Sequence, residues 1–391
     1  MPSDAHYMRL ALRLARKGYG LTSPNPMVGA VLVRAGKVIG RGWHHRAGEP
    51  HAEIEALRSA QARGHSARGA TLYVTLEPCC THGRTPPCTQ AIIAAGVKRV
   101  LAGATDPNPR HCGNGFAILR RAGLEVAQGL LAADCERLNE AFNHWIVHRL
   151  PFVTVKAAMT LDGKIATANG ESQWITGKRA RAWGMKLRQG SDAILVGINT
   201  VLADDPSLTF REPRRERRAA KIETRGPRLR RIVLDAQART PLSAKLVSDA
   251  HAGLTTVVVS KLAPATRVAA LAKRVNVIVA PLAKVRPRTH PGVAGGSPAL
   301  DLRWLLKRLG AEEVTSLLVE GGGEVNASFL LQGLAQRIGF FYAPKVLGGR
   351  KSRPAVAGDG AHNWHEVLSL RDLEWRWLGP DLLLSARVER S

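Results

Sequence analysis

Strand and helix signals alternate along the first ~145 residues, and this alternation limits the possible folds more than any other feature of the chain. Met8, Leu12 and Ala15 fall at helical spacing behind Ser3 and Asp4, which predicts a helix over 4–18. Residues 28–39 read as a hairpin broken at Ala35 and Gly36, and Pro50 opens a helix over 51–63. A β-rich run at 71–76, a helix at 89–95, a strand at 97–104 and a helix entered through glycine at 113–123 follow. Strands separated by helices predict an α/β layer sandwich.

A second α/β block begins at Pro151, with strands expected at 152–158, 193–196, 232–234, 255–259, 275–279 and 317–319 and a helix at 178–189. The boundary is expected near 146–151, giving domains 1–147 and 148–391. At about 150 residues per domain, a chain of 391 residues has room for two or three. Two stretches read as loops. Residues 211–231 hold ten Lys and Arg against three Glu, a net of +7 in an apolar-poor segment. Residues 284–299 are rich in Pro and Gly.

The net charge of +26 invites a nucleic-acid reading. Aromatic residues are only 5% of the chain, and none interleaves the arginines of 211–231. Stacking platforms for single strands are therefore not expected, and no nucleic-acid partner is predicted. Five cysteines in 391 residues are too few and odd in number for a disulfide framework, which favours a reducing compartment and a cytoplasmic location. No apolar run reaches the roughly 18 residues needed to span a bilayer, so no membrane role is expected.

The strongest chemical signal joins PHAEIEAL at 50–57 to PCCTHGRTPPC at 78–88. His51 with the thiolates of Cys79 and Cys88 would supply three zinc ligands and leave one tetrahedral position for water, as in a catalytic site. Zn2+ would lower the pKa of that water to about 7. Hydroxide attack on an amino-bearing ring carbon needs a proton shuttle, and Glu53, two residues from a ligand and not itself one, suits it. The zinc deaminase signature H-x-E…P-C-x-x-C is matched at H-A-E and P-C, but eight residues separate Cys79 from Cys88. Cys80 adjoins Cys79 and is an alternative thiolate. Cys112 and Cys135 lack partner spacing and read as apolar filler.

With TSPNPMVGAV at 22–31, GWHHRAGEPHAEIEAL at 42–57 and TLYVTLEPCCTHGRTPPC at 71–88, the sequence resembles the bifunctional riboflavin biosynthesis proteins, in which a pyrimidine deaminase is fused to a reductase. PFVTVKAAMTLDGKIAT at 151–167, GESQWIT at 170–176 and the 187–211 segment resemble the reductase half of the same family. The resemblance implies a cytidine-deaminase-like α/β/α domain followed by a dihydrofolate-reductase-like α/β domain. It implies zinc-dependent deamination of 2,5-diamino-6-ribosylamino-4(3H)-pyrimidinone 5′-phosphate, then NADPH-dependent reduction of the ribosyl chain to give 5-amino-6-(5-phosphoribitylamino)uracil. Phosphorylated pyrimidines are the expected partners, and a homo-oligomer the expected assembly. Cys79 is the family's cysteine, which makes Cys80 a bystander.

The resemblance places substrate contacts at Asn25 in the first domain and at Ser172, Arg188, Leu208, Arg211 and Glu320 in the second; His44, His82 and Arg84, polar and close to the motifs, are expected ligands of the ribose phosphate, and Lys156, a lone charge in a strand, a further substrate contact. The resemblance also places NADPH contacts at Ala158, Trp174, Thr200 and Asp204 and along Gly322, Gly323, Glu324, Val325, Asn326, Ala327 and Ser328. Chemically, Arg188 and Arg211 suit a phosphate, Glu320 suits hydroxyls or a pyrimidine N–H, and Trp174 offers a flat face to a nicotinamide. The glycine turn at 321–323, between a strand and a helix, exposes backbone N–H groups to a pyrophosphate. Asp162 is expected near the reacting centre. Ala236 stands where the family leads us to expect a small polar NADPH contact, so one cofactor hydrogen bond is expected to be missing.

Overall fold

The computed structural model describes residues 2–82, 86–211, 229–283 and 299–389. The chain divides into two compact units, Met1–Arg149 and Leu150–Ser391. Arg84, most of the basic 211–231 segment and nearly all of 284–299 lie outside the described residues.

The first unit is built on a five-stranded sheet ordered β2-β1-β3-β4-β5: β1 (Gly29–Arg34), β2 (Lys37–Trp43), β3 (Thr71–Leu76), β4 (Arg99–Ala104) and β5 (Glu125–Gln128). The β1–β2 hairpin turns at Ala35 (φ 47°) and Gly36 (φ 73°), the two left-handed residues that match the twist of paired strands. β3, β4 and β5 run parallel and are joined by helices, which gives the expected layer sandwich. Helix α1 (Asp4–Ala15) buries Met8, Ala11 and Leu12 in a core with Val31, Val33 and Leu101, and Ala15 is buried too, while α2 (Ala52–Gln61), α3 (Cys88–Ala94) and α4 (Asn114–Arg121) belong with a second core around Leu32, Val74 and Val100. β5 and two further helices, α5 (Ala132–Leu138) and α6 (Glu140–His148), were not expected from sequence.

The second unit carries a nine-stranded sheet ordered β11-β10-β9-β8-β12-β6-β13-β16-β15. Its members are β6 (Phe152–Thr160), β8 (Ala193–Gly197), β9 (Arg230–Leu234), β10 (Thr255–Ser260), β11 (Asn276–Ala280), β12 (Ser316–Val319), β13 (Arg337–Ala343), β15 (Leu370–Leu378) and β16 (Asp381–Val388). The first seven positions pair in parallel, and β16 and β15 close the edge antiparallel. β12 inserts between β8 and β6, so the chain order reverses there, the place where open α/β sheets form ligand crevices. A short β7 (Lys164–Ala166) pairs with β14 (Arg353–Pro354) beside this sheet.

The loop expected over 211–231 needs correcting at its end. Arg230 and Arg231 lie in β9, and Arg231 is only 1% exposed. Its Nη1 and Nη2 donate to Asp249 Oδ2 (2.7 Å) and Oδ1 (2.8 Å), and further to the carbonyls of Ser207 and Leu246. A buried guanidinium persists only when paired and hydrogen-bonded in this way. Cys112 is exposed and so is not apolar filler, whereas Cys135 is buried against Gly103.

Candidate active sites

In the first unit, Pro50 and the extended His51 deliver the chain into α2, which places Glu53 in the first turn, 3% exposed. Cys79 follows β3, and Cys88 begins α3. His51 Nδ1 lies 3.5 Å from Cys79 Sγ and 3.4 Å from Cys88 Sγ. Bonds of about 2.0 Å to nitrogen and 2.3 Å to sulfur at tetrahedral angles require donor separations close to these, so the set fits Zn2+. Cys80 is turned away: its Sγ sits 3.6 Å from His111 Nδ1.

The electrostatics follow from burial. Glu53 is pushed up to about 7 by desolvation, with the neighbouring Cys79 thiolate adding to the effect. The Cys79 thiol is held down to about 4, chiefly by its hydrogen bond with Cys88 and further by His51, while the same bond and burial push Cys88 up. Cys88 also donates its backbone N–H to Cys79 Sγ at 3.3 Å.

Asn25 and His44 lie beside this triangle. His44 is 2% exposed, and its ring meets that of His51 edge-on at 5.2 Å. Its Nδ1 is 3.1 Å from the Pro50 carbonyl and its Nε2 is 3.1 Å from Asn25 Nδ2. Only one tautomer satisfies both, with the proton on Nδ1 and the amide donating to Nε2. Desolvation keeps His44 below its ordinary pKa, in keeping with a neutral ring. His82 is described and exposed, with no hydrogen bond to this cluster.

Two positioning residues were missed from sequence. Asn139, at the junction of α5 and α6, clamps the Asn25 loop: its Oδ1 accepts from Met27 N (2.8 Å) and its Nδ2 donates to Met27 O (2.9 Å). Glu77, 4% exposed, accepts backbone N–H bonds from Asp106, Gly113, Gly115 and Phe116 and so ties the start of α4 to the Pro78–Cys79 segment. A Cβ at Gly115 would stand 2.3 Å from the Pro78 carbonyl, so only glycine fits there. The sole sequence signal for Glu77 was its place in the quoted LEPC run.

In the second unit a cleft of about 1380 Å³ opens at the carboxyl ends of β6, β8, β9 and β12. Lys156, Ala158, Ser172, Trp174, Arg188, Thr200, Asp204, Leu208, Arg211, Glu320 and residues 322–325 all line it. The parallel register of β12 on β6 pairs Val319 with Val155, which brings Glu320 beside Lys156. Arg188, from α7 (Lys178–Gln189), closes a two-pronged pair on Glu320, and Lys156 Nζ lies 3.6 Å from the same carboxylate. Burial alone would raise Glu320, but Lys156 and Arg188 overcome it and hold the carboxyl down to about 2. Ser172 Oγ donates to Asp204 Oδ1 at 3.0 Å. Trp174 is 65% exposed, and the Arg181 guanidinium stacks 4.4 Å from its ring.

The glycine turn forms a cradle. Added Cβ atoms at Gly321 and Gly323 would collide with Val325 and the Pro354 carbonyl at 2.5 and 2.4 Å, whereas one at Gly322 would meet nothing closer than Thr200 Oγ1 at 3.9 Å. That open space beside backbone N–H groups at the start of helix Gly323–Leu331 suits a dinucleotide phosphate. Asn326, Ala327 and Ser328 are not among the residues lining the cleft. Asn326 is fully buried and donates to the Ala355 carbonyl, and Ser328 Oγ donates to Glu324 O within the helix. Asp162 is likewise absent from the cleft wall. Its carboxylate accepts from Leu347 N (3.0 Å), Gly348 N (2.7 Å) and Thr160 Oγ1 (2.6 Å), anchoring a loop.

Two family models match the chain: the cytidine and deoxycytidylate deaminase zinc-binding region over residues 1–104, and the RibD C-terminal domain over residues 151–384. The chain belongs to the RibD family. The riboflavin biosynthesis protein RibD of Actinobacillus pleuropneumoniae is 40% identical over 387 residues, covering 98% of this chain and 94% of the relative. That of Escherichia coli K12 is 39% identical over 386 residues, covering 97% and 98%. Among solved structures, Acinetobacter baumannii RibD aligns over 99% of both chains with a TM-score of 0.82 and 34% identity. A Thermotoga maritima deaminase/reductase aligns over 98% of both with a TM-score of 0.77 and 33% identity. As a RibD family member, this chain is a bifunctional deaminase/reductase of riboflavin biosynthesis, with a zinc-binding deaminase domain followed by a reductase domain. Among the described residues no helix is long and apolar enough to cross a membrane.

Proposed function

We propose that residues 1–147 deaminate 2,5-diamino-6-ribosylamino-4(3H)-pyrimidinone 5′-phosphate and that residues 148–391 reduce the ribosyl chain of the product with NADPH, giving 5-amino-6-(5-phosphoribitylamino)uracil. The observation that carries this reading is the His51–Cys79–Cys88 triangle with a buried carboxylate, Glu53, two residues from the histidine. The solved Thermotoga maritima relative, a diaminohydroxyphosphoribosylaminopyrimidine deaminase and 5-amino-6-(5-phosphoribosylamino)uracil reductase, supports the choice of substrate.

His51, Cys79 and Cys88 would hold Zn2+, which supplies a water acidic enough to ionise near neutral pH. Glu53 would hold and move the protons at this site, first one from the attacking water to the ring nitrogen and then the second, from the hydroxyl so added, to the amino group that leaves as ammonia. Burial keeps its pKa near that of such a water, so transfer runs in both directions without a large uphill step. Asn25, oriented by His44 on a loop that Asn139 clamps through Met27, holds the pyrimidine edge. His82 and Arg84 contact the ribose phosphate, whereas His44, expected there too, has both ring nitrogens engaged and acts through Asn25.

In the second unit the 322–325 cradle would hold the phosphates of NADPH and Ala158 and Trp174 would flank its nicotinamide, and the coenzyme would supply the hydride. Lys156 and Glu320 meet the ribosyl chain, with Ser172 and Leu208 completing the wall around it. Arg188 has spent two of its edges on Glu320 and a third on the Thr209 carbonyl, so Arg211 is the freer phosphate ligand and Arg188 acts mainly by orienting Glu320. Thiolate zinc ligands and a sparse cysteine content suit a reducing cytoplasm, where the chain works as a homo-oligomer on small phosphorylated pyrimidines. The deciding experiment supplies the diaminopyrimidine phosphate and follows ammonia release and NADPH oxidation separately. Stoichiometric ammonia followed by equimolar NADPH loss is expected; ammonia without NADPH loss would remove the reductase half of the proposal.

A further inference from the structure

β6 and β13 run parallel, with Tyr342 paired to Met159 and Ala343 to Thr160, so the loops that follow the two strands leave the sheet side by side. Asp162, in the first loop, grips the second: its carboxylate accepts from Leu347 N and Gly348 N, and Leu161 N donates to the Lys345 carbonyl at 2.7 Å. The Thr160 hydroxyl holds Asp162 in turn at 2.6 Å. Lys345 therefore projects from a loop that is fixed on both sides of it. Its Nζ donates to the carbonyl of Trp174 at 3.0 Å, across 171 residues of chain.

The segment that carries Trp174 is held at its ends. Thr167 N donates to the Glu171 carbonyl and Gly170 N to that of Thr167, Ser172 is tied to Asp204, and at the far end Arg181 donates to the Thr176 carbonyl and Gly177 N to Asp381 Oδ2, each at 2.7 Å. Between these points, among the described residues, the Lys345 contact is the sole hydrogen bond made by Gln173, Trp174 or Ile175. Packing does not replace it, since Trp174 is 65% exposed and Arg181 stacks on its ring. Among the described residues no carboxylate lies within ion-pair distance of the Lys345 ammonium, so its charge is directed at this carbonyl, and a hydrogen bond from an ionised donor is the stronger kind.

A flat surface helps to orient a nicotinamide only if it stands in one place. We propose that Lys345, seated on the loop that Asp162 anchors, is a positioning residue that fixes the Trp174 main chain, so that the ring face not covered by Arg181 can meet the nicotinamide. The inference rests on the NADPH reading above. Lys345 is not part of the cleft wall and acts through the tryptophan, which is. Asp162 acts one step further back, by holding the loop from which the lysine reaches.

The test is steady-state NADPH oxidation by the full chain, supplied with the deaminated intermediate. Lys345→Met keeps the aliphatic stem and removes the donor. It should raise the NADPH KM about fivefold while kcat falls less than about twofold, because the contact serves coenzyme binding rather than the hydride step. Lys345→Arg retains a charged donor and should recover most of the wild-type KM. Asp162→Ala should raise the KM in the same direction by releasing the loop. A lysine that touched a coenzyme phosphate directly would still matter without the indole, so the decisive comparison makes Lys345→Met in a Trp174→Ala background. There it should change the KM by less than about 1.5-fold, since the two residues act as one unit. Circular dichroism checks the folding of each variant. An unchanged KM in Lys345→Met, or an undiminished effect in the Trp174→Ala background, overturns the proposal and leaves the reductase reading intact. A wild type that neither binds nor oxidises NADPH overturns both.

Discussion

Arg188 and Glu320 meet fork to fork: Nε donates to Oε1 at 3.0 Å and Nη2 to Oε2 at 2.8 Å, although 132 residues separate them in the chain. Lys156 completes the group from β6. The depressed Glu320 pKa has a testable sign. Its contribution to stability is fully present above the ordinary value of 4.5 and is lost as pH falls towards about 2. Glu320→Gln should therefore unfold more easily in urea than wild type near neutral pH, by roughly 3 kcal/mol, with the gap narrowing between pH 4.5 and 2. A gap independent of pH would show that the carboxylate charge is not what stabilises the site.

Arg188→Ala should weaken the reductase far more than the deaminase. Removing the fork leaves Glu320 with Lys156 alone, so NADPH oxidation should lose kcat/KM while ammonia release changes little. An unchanged reductase kcat/KM would count against Arg188 as the orienting partner.

Glu53→Gln should keep zinc, because Glu53 is not one of the three clustered donors, yet slow ammonia release by at least about 100-fold, the usual contribution of a general acid–base group. The same protein should still oxidise NADPH when given the deaminated intermediate. Normal ammonia release would eliminate the proton-shuttle role.

Cys88→Ser and Cys80→Ser separate the alternative thiolates. The Cys88 variant should retain little zinc after dialysis, measured by metal analysis, and the Cys80 variant should match wild type because its sulfur faces His111. The reverse result would move the metal.

Gly115→Ala should loosen zinc without touching a ligand. The added methyl would press on the Pro78 carbonyl, one residue before Cys79, and Glu77 holds the other side of that contact. Faster zinc loss to a chelator is the expected readout; a wild-type rate would mean that the segment gives way freely.

The parts of this molecule legible in sequence share one property: their information is local. The strand bounds at 71–76 and the helix at 178–189 were read from short periodic runs, and the zinc triad from two motifs with a recognisable order of residue types. Nonlocal features were not readable. β13, β15 and β16 escaped notice although they supply a third of the larger sheet; β15, LRDLEWRWL, is the edge strand and is exposed along most of its length, so it shows little apolar contrast. Arg231 looked like one more solvated arginine in a basic run, since nothing local announces that Asp249 waits to pair with it.

The amino-acid sequence alone determined the two-block α/β organisation, the zinc chemistry and the family resemblance, because helix and strand periodicity and ligand types are properties of neighbouring residues. Only the tertiary structure decided which charges are spent and which are available. Arg188 is closed on Glu320, Asp162 is tied to a loop, Asn139 grips Met27, and Arg211 lines the cleft. The physical reason is that the interactions setting a side chain's charge and orientation act over a few ångströms of space, and folding brings groups together across spans such as the 112 residues between Met27 and Asn139.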